Sequence, residues 1–192
     1  MLEPRRFTTV AFASLLGWAG CQGQLFTLAV EESAVTTVPA ATPLEVLIGD
    51  VGLGEFVAFD ITQATELQNP GVGPGDIMNV SFTLFELEVL TGSTDLSFLD
   101  SMEVYVESDG LPRQLVASAP AFPAGQAVVA FDLEPVDLTD YAVSQSMTFT
   151  TEVTGSRPEA DTEIEARFAL DVGVTGQGAC NYLENQNQPE EG

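Results

Sequence analysis

Carboxylates are the abundant reactive groups of this 192-residue chain, which has 29 Asp and Glu against 5 Lys and Arg. Four of them cluster around Pro135, namely Asp132, Glu134, Asp137 and Asp140. A loop interrupted by proline would fold around an ion, and Ca²⁺ takes about six to eight oxygen ligands. The spacing is not that of an EF-hand loop, and Asp137 or Asp140 would equally cap a short helical turn. The cluster therefore predicts a calcium site or, in the interpretation we favour, a capped turn.

A second group of acids alternates with other residues in a segment near the C-terminus. Its members are Glu159, Asp161, Glu163 and Glu165. Alternate residues of a strand share a face and lie about 6.5–7 Å apart, so this row would present oxygens to a hard cation. The alternative, which we favour, is a solvated outer face of a sheet with Arg157 and Arg167 as counter-charges.

The residue types that the chain lacks exclude several kinds of chemistry. It has no His and no Lys. Without His there is no Ser-His-Asp or Cys-His nucleophile system and no His-metal site, and without Lys there is no Schiff-base or P-loop chemistry. A net charge of −24 opposes binding to nucleic-acid phosphates. The 45% hydrophobic content is too high for a disordered acidic chain.

A carboxylate-based hydrolase is the weakest alternative. A glycosidase needs two carboxylates about 5–10 Å apart across a cleft, and nothing in the sequence marks one pair as special. Aromatic residues for sugar stacking are few, since Trp18 is the only Trp. Tyr105 lies on the polar face of its predicted strand and would be a ligand platform or, as we favour, pack on a neighbouring strand.

The first twenty residues have the features of a signal peptide. Arg5 and Arg6 form a positive start, and residues 7–19 are uncharged and mostly apolar. A membrane-spanning helix needs about 20 apolar residues, so this stretch is too short to span and has the length of a signal-peptide core.

The segment Trp18-Ala19-Gly20-Cys21 resembles the lipobox of bacterial lipoprotein precursors, where signal peptidase II cuts before the cysteine. Ala19, Gly20 and Cys21 match the pattern of Leu, two small residues and Cys, whereas Trp18 departs from it. The resemblance covers residues 1–21 and implies that Cys21 becomes a diacylated N-terminus that anchors the protein to a membrane. Gln22 after the cysteine favours the outer membrane within that family.

The same segment also fits signal peptidase I, because Gly17-Trp18-Ala19 is a small-x-small site. Cleavage after Ala19 would give a periplasmic or secreted protein and leave Cys21 free to pair with Cys180. With Cys21 lipidated, Cys180 is the one other thiol, and no basic residue near it in the sequence would activate it. We favour the lipid anchor.

Beyond the signal peptide, apolar residues alternate with polar ones at the period typical of strands. In the clearest strand, one face carries Ile164, Ala166, Phe168, Leu170, Val172 and Val174. Shorter sets occur at residues 26–30, 44–48, 57–61, 102–106, 129–133 and 147–153. We therefore predict an all-β, antiparallel two-sheet sandwich of about eight or nine strands, either immunoglobulin-like or jelly-roll.

The stretch 80–91 changes phase, because its apolar residues are even-numbered up to Leu84 and odd-numbered from Phe85. A one-residue slip turns every side chain to the other face. We expect a β-bulge near Leu84–Phe85, or a strand that crosses between the sheets. Asp109-Gly110 predicts a hairpin turn, with Leu111-Pro112 lengthening its loop.

The chain divides into four segments. Residues 1–20 are the signal peptide, 21–43 the lipidated N-terminus with a first strand or linker, 44–180 the sandwich, and 181–192 a polar disordered tail.

The central stretch is similar to a type of uncharacterised bacterial lipoprotein domain. The similarity rests on residues 96–106 (LSFLDSMEVYV), 109–112 (DGLP) and 136–141 (VDLTDY), followed by Met147-Thr148. It covers about half of the mature chain and implies a shape and a location without catalytic residues.

Together these patterns predict a non-enzymatic, lipid-anchored sandwich on the outer membrane, with a structural or interaction role and no cofactor. Its partners are the membrane and an unidentified envelope protein or glycan. The alternative is a secreted Ca²⁺- or glycan-binding module. A filled sandwich with acids on its outer faces would favour the lipid-anchored protein. A concave pocket lined by converging acids and Tyr would favour the binding module or the carboxylate-based hydrolase. The acids also keep the sheets soluble and suit a salty environment.

Overall fold

The computed structural model describes residues 23–41, 55–58, 72–144, 147–178 and 180. The strands are β1 (Gln24–Val38), β2 (Glu55–Ala58), β3 (Ile77–Thr91), β4 (Leu99–Ser108), β5 (Leu111–Ala119), β6 (Val128–Ala130), β7 (Asp132–Leu133), β8 (Thr148–Gly155) and β9 (Thr162–Thr175). A 3₁₀ turn (Pro74–Asp76) precedes β3, and the short helix α1 (Thr139–Val143) precedes β8. Several predictions fall on residues outside the described ones: the predicted signal peptide (1–20), Cys21, the predicted strand residues 44–48 and 59–61, and the predicted tail 181–192.

The strands form two antiparallel sheets, which confirms the predicted all-β sandwich. The first sheet has the order β1-β9-β3-β6, and the second has the order β2-β8-β4-β5-β7. Strands pair in a nested way, β1 with β9, β2 with β8, β3 with β6 and β4 with β5. This nesting is the strand order of a jelly roll and differs from the immunoglobulin order.

The segment 128–133 is not the single strand that its alternation predicts. Residues up to Ala130 pair with β3 in the first sheet, whereas Asp132 and Leu133 pair with β5 in the second. Phe131 lies at the crossing point, where its N–H donates to the Phe85 carbonyl at 2.9 Å and its ring packs 4.8 Å from that of Phe85. The chain therefore changes sheets around one buried aromatic side chain.

The phase change in β3 is a β-bulge, as predicted, lying about one residue earlier than expected. The register of β3 against β9 shifts between Phe82 and Leu84, so that Leu84 is exposed and Phe85 is buried. A second shift lies between Met78 and Ser81, where Asn79 has a positive φ of 51°. Asn tolerates this left-handed conformation better than most residues.

The core lies between the sheets and is filled by aliphatic and aromatic side chains. All six apolar residues predicted for one face of β9 are buried. Phe149 of β8 packs against Phe82 of β3 and Phe168 of β9, at ring-centroid distances of 5.2 and 5.7 Å. Aromatic contacts thus join the two sheets at the centre of the sandwich.

The sandwich has two ends, which we name from the start of β1. The proximal end contains Gln24, the end of β9 at Thr175, the Asp109-Gly110 turn and the loop 134–138. The distal end contains the loops 92–98, 120–127 and 156–161. The turn at Asp109-Gly110 confirms the predicted hairpin, but Ser108 pairs directly with Leu111, so the loop is not lengthened.

Candidate functional site

The outer face of the first sheet has one cation surrounded by acids. Alternation along β9 places Arg167 opposite Glu86 of β3. Its Nε lies 3.2 Å from the Glu86 carboxylate and 3.4 Å from that of Glu165, and its Nη2 pairs with Glu88. The Arg167 guanidinium therefore neutralises part of the negative charge of three carboxylates and links β3 to β9 on the outer face of the sheet.

We expect the Arg167→Gln variant to be destabilised by about 1–2 kcal/mol at low salt, because three carboxylates lose their common counter-charge. The loss should shrink in about 1 M NaCl, where the Debye length is about 3 Å. Urea unfolding at both salt concentrations measures it. Adding Glu88→Gln to the variant should restore part of the stability. An equal loss at both salt concentrations would point to lost packing instead of charge.

The predicted row of acids at 159–165 does not converge on one point. Asp161 accepts a hydrogen bond from the backbone N–H of Ala40 at 2.8 Å, and Glu163 accepts one from the Thr91 hydroxyl at 3.0 Å. Glu165 belongs to the Arg167 group, while Glu159 lines a cavity at the distal end. Each described acid of the row thus has its own neighbours.

The four acids around Pro135 lie on or beside residues 134–138, which we call the arch. The arch leaves the end of β7 and returns to β3. Its return is fixed by the Leu138 N–H, which donates to the Val80 carbonyl at 2.7 Å. Asp137 accepts hydrogen bonds from the backbone N–H and the hydroxyl of Thr139, at 3.0 and 2.6 Å, and so closes the turn before α1. Asp140 lies in the first turn of α1.

A cavity of about 460 Å³, open to solvent, lies between the arch and β3. Glu134 and Asp137 line it, opposite Asn79 and Ser81, while Asp132 and Asp140 do not. Across residues 23–41, 55–58, 72–144, 147–178 and 180, no three Asp, Glu or Cys side chains group closely enough to hold a metal ion. The calcium site at Asp132, Glu134, Asp137 and Asp140 stays a prediction, with two of its acids at one cavity.

We expect CaCl₂ and NaCl at matched ionic strength to raise the melting temperature of the protein equally, because its acids are spread over both faces and screening relieves their repulsion. Thermal unfolding followed by circular dichroism measures this. A shift specific to Ca²⁺ that disappears in the Asp137→Asn variant would contradict the expectation and assign the ion to the arch.

On the second sheet, the outer face is organised around Tyr105. The guanidinium of Arg113 lies 3.6 Å from the centre of the Tyr105 ring, and the Tyr105 hydroxyl donates a hydrogen bond to Glu103 at 2.7 Å. That hydrogen bond is the main cause that raises the pKa of Tyr105 above its usual value. Arg113 also pairs with Glu107 at 2.8 Å and with Glu152. The Arg113 guanidinium therefore covers one face of the Tyr105 ring, for which a ligand platform was one of the two predicted roles.

Arg113 is a residue that the sequence patterns did not single out. The Asp109-Gly110 turn alone would place Tyr105 opposite Gln114, but the register of β4 against β5 shifts between Val106 and Ser108. Tyr105 therefore lies opposite Leu115, and Arg113 is its diagonal neighbour, within reach of a long side chain. The turn residues by themselves do not identify Arg113 as the neighbour of Tyr105.

Cys180 carries a free thiol and is exposed just beyond β9, at the proximal end. A Cβ built on Gly178 would lie 2.7 Å from the Asp76 Cβ, which places this segment against the 3₁₀ turn. Within the described part of the chain, no helix is long and apolar enough to cross a bilayer.

No protein-family model and no curated protein matches the chain. Among solved structures, it is similar to a chain in the cryo-EM structure of Mud crab tombus-like virus. The two are 10% identical, the match covers 98% of this chain and 100% of that chain, and the TM-score is 0.28. Similarity at this TM-score carries no argument about function.

Proposed function

We propose that this chain is a lipid-anchored β-sandwich protein of the bacterial cell envelope, held at the outer membrane through Cys21, with a structural or interaction role and no catalysis. The observation that carries the proposal is the order of features at the N-terminus. Two arginines precede a short apolar stretch, and Ala19-Gly20-Cys21 follows it. Several acyl chains on one cysteine give stable membrane attachment.

The packing of the sandwich supports an interaction role for its outer surface. Its centre is occupied by the buried side chains of Phe149, Met102 and Leu170. Carboxylates line the outer faces of both sheets, where Arg167 and Arg113 pair with several of them. A partner, whether an envelope protein or a glycan, would therefore meet an acidic, hydrogen-bonding surface.

Labelled palmitate supplied to cells expressing the full chain tests the anchor. We expect wild-type protein and the Cys180→Ser control to be labelled, and label to be lost completely in Cys21→Ser, because the acyl groups have no other attachment site in the proposal. Unlabelled wild-type protein that starts at Gly20 and is found in the soluble fraction would overturn it in favour of secretion.

A further inference from the structure

The cavity between the arch and β3, which we call the arch groove, is lined mainly by apolar side chains. Phe82, Leu133 and Val136 line it, and each is half-buried and packs against the core. Water therefore still reaches part of these side chains. Hydrocarbon that covers them removes this apolar surface from water, which is favourable. The arch groove thus offers an apolar floor that the stem of a ligand can cover.

The rim of the arch groove carries acceptors that the fold does not use. Within the residues that the structure describes, no hydrogen bond or ion pair involves the exposed carboxylate of Glu134. Asp137 uses Oδ1 for both of its hydrogen bonds from Thr139, so its Oδ2 is available. On β3, the amide nitrogen of Asn79 donates to Gln24 at 2.7 Å, which leaves the Asn79 amide oxygen as a further acceptor. The rim therefore suits a donor, and its two carboxylates suit a cation.

No cation of the described residues pairs with these two carboxylates. The arginines beyond residue 20 are Arg113, Arg157 and Arg167. Arg113 and Arg167 pair with acids on the outer faces of the sheets, and Arg157 lines the cavity at the distal end. A positive charge that complements Glu134 and Asp137 therefore comes from a second molecule.

The open shape of the arch groove favours a polypeptide over a small molecule. Small-molecule sites bury about 70–90% of the ligand surface. Since the groove is open to solvent, a free cation would leave much of its surface in water. A side chain of a partner protein is also held by contacts of its neighbours outside the groove. Asp132 in β7 and Asp140 in α1 are exposed beside the arch and would attract further basic residues.

We propose that the arch groove binds a Lys or Arg side chain from an exposed segment of a partner protein, with its aliphatic stem on the apolar floor and its cationic head at Glu134 and Asp137. Both side chains combine an apolar stem with a charged head. The inference rests on the interaction role in the proposed function, for which it names the chemistry of the partner, and it does not depend on the anchor at Cys21.

Isothermal titration calorimetry of the full chain in detergent at low salt tests the groove. The probes are blocked peptides that differ only at a central position, which is arginine, lysine, norleucine or glutamate. A fifth probe, n-butylamine, carries the same kind of charge and stem without a polypeptide. We expect the arginine and lysine peptides to bind more tightly than the other three probes. Their binding should weaken in about 1 M NaCl, where the Debye length is about 3 Å.

Three variants locate the binding. Glu134→Gln should weaken binding of the arginine peptide about three- to five-fold, the effect of one exposed ion pair. Adding Asp137→Asn should bring the loss to about ten-fold or more. Asp132→Asn is the matched control, because it removes one charge beside the arch but Asp132 does not line the groove, and it should weaken binding less than about two-fold. Circular dichroism of each variant checks that the fold is kept.

Equal losses in Glu134→Gln and Asp132→Asn would mean that the general acidity of the protein attracts the peptides, and would overturn the groove. Equal binding of the norleucine peptide would overturn the cationic head, and equal binding of n-butylamine would overturn the polypeptide partner. A chain that incorporates palmitate but binds no basic peptide would overturn this inference and leave the anchor intact. A chain that binds the arginine peptide through Glu134 but incorporates no palmitate would overturn the anchor alone.

Discussion

The Gly92→Ala variant is expected to lose about 2–5 kcal/mol of unfolding free energy. Gly92 has a φ of +91°, a conformation that costs an L-residue about 1–2 kcal/mol. A Cβ there would also lie 2.1 Å from the Asp161 carbonyl oxygen and 2.8 Å from the Thr162 Cα. Both contacts are with backbone, so β9 or the loop after β3 must move, at a further cost of about 1–3 kcal/mol. Urea unfolding followed by circular dichroism measures the loss.

Gly110→Ala is the matched control, because Gly110 also has a positive φ, +79°, but a Cβ there would contact nothing within 4 Å. We expect this control to lose only the conformational part, about 1–2 kcal/mol. If both variants lost the same free energy, the close approach of Gly92 to the start of β9 would be wrong.

The second large effect is expected at Phe149, where Phe149→Ala should cost about 3–5 kcal/mol. The side chain is 5% exposed and comes from the second sheet, while its ring neighbours Phe82 and Phe168 come from the first. Truncation leaves a cavity between the sheets, and the surrounding strands can close it only in part. Guanidinium unfolding gives the change in free energy.

Two further variants bracket this expectation. Phe149→Leu keeps most of the apolar volume and should cost under about 1.5 kcal/mol. Val35→Ala removes a side chain that is 57% exposed on β1 and should change stability by less than about 0.5 kcal/mol. A Phe149→Ala variant as stable as Val35→Ala would show that the ring does not join the sheets.

Alternation predicted individual strands well because burial on one face is a local property of the chain. Strand β9 has the predicted buried face, the bulge of β3 lies within about a residue of its expected place, and Asp109-Gly110 forms the expected hairpin. In each case, neighbouring residues contain the signal: parity for the strands, a change of parity for the bulge, and turn residues for the hairpin.

The same local signal failed at segment 128–133, where parity is continuous but the chain changes sheets at Phe131. Both sheets turn their buried faces toward one core, so a strand that passes from one to the other keeps its alternation. Only the pairing with β3 and then with β5 shows the change. The choice between jelly roll and immunoglobulin order was undecided for the same reason, since parity carries no information about which strands are neighbours.

The candidate sites show the same difference between features that are contiguous in the chain and contacts between residues far apart in it. The features around Cys21 are contiguous in the chain, so the sequence by itself determined the proposed anchor, the strand pattern and the acidic charge. The partners of the acids were decided by tertiary structure, because Arg167 and Glu88 are 79 residues apart and meet only through the register of β9 and β3. Electrostatic pairing depends on distances of a few ångströms, and between residues far apart in the chain such distances follow from strand order and register.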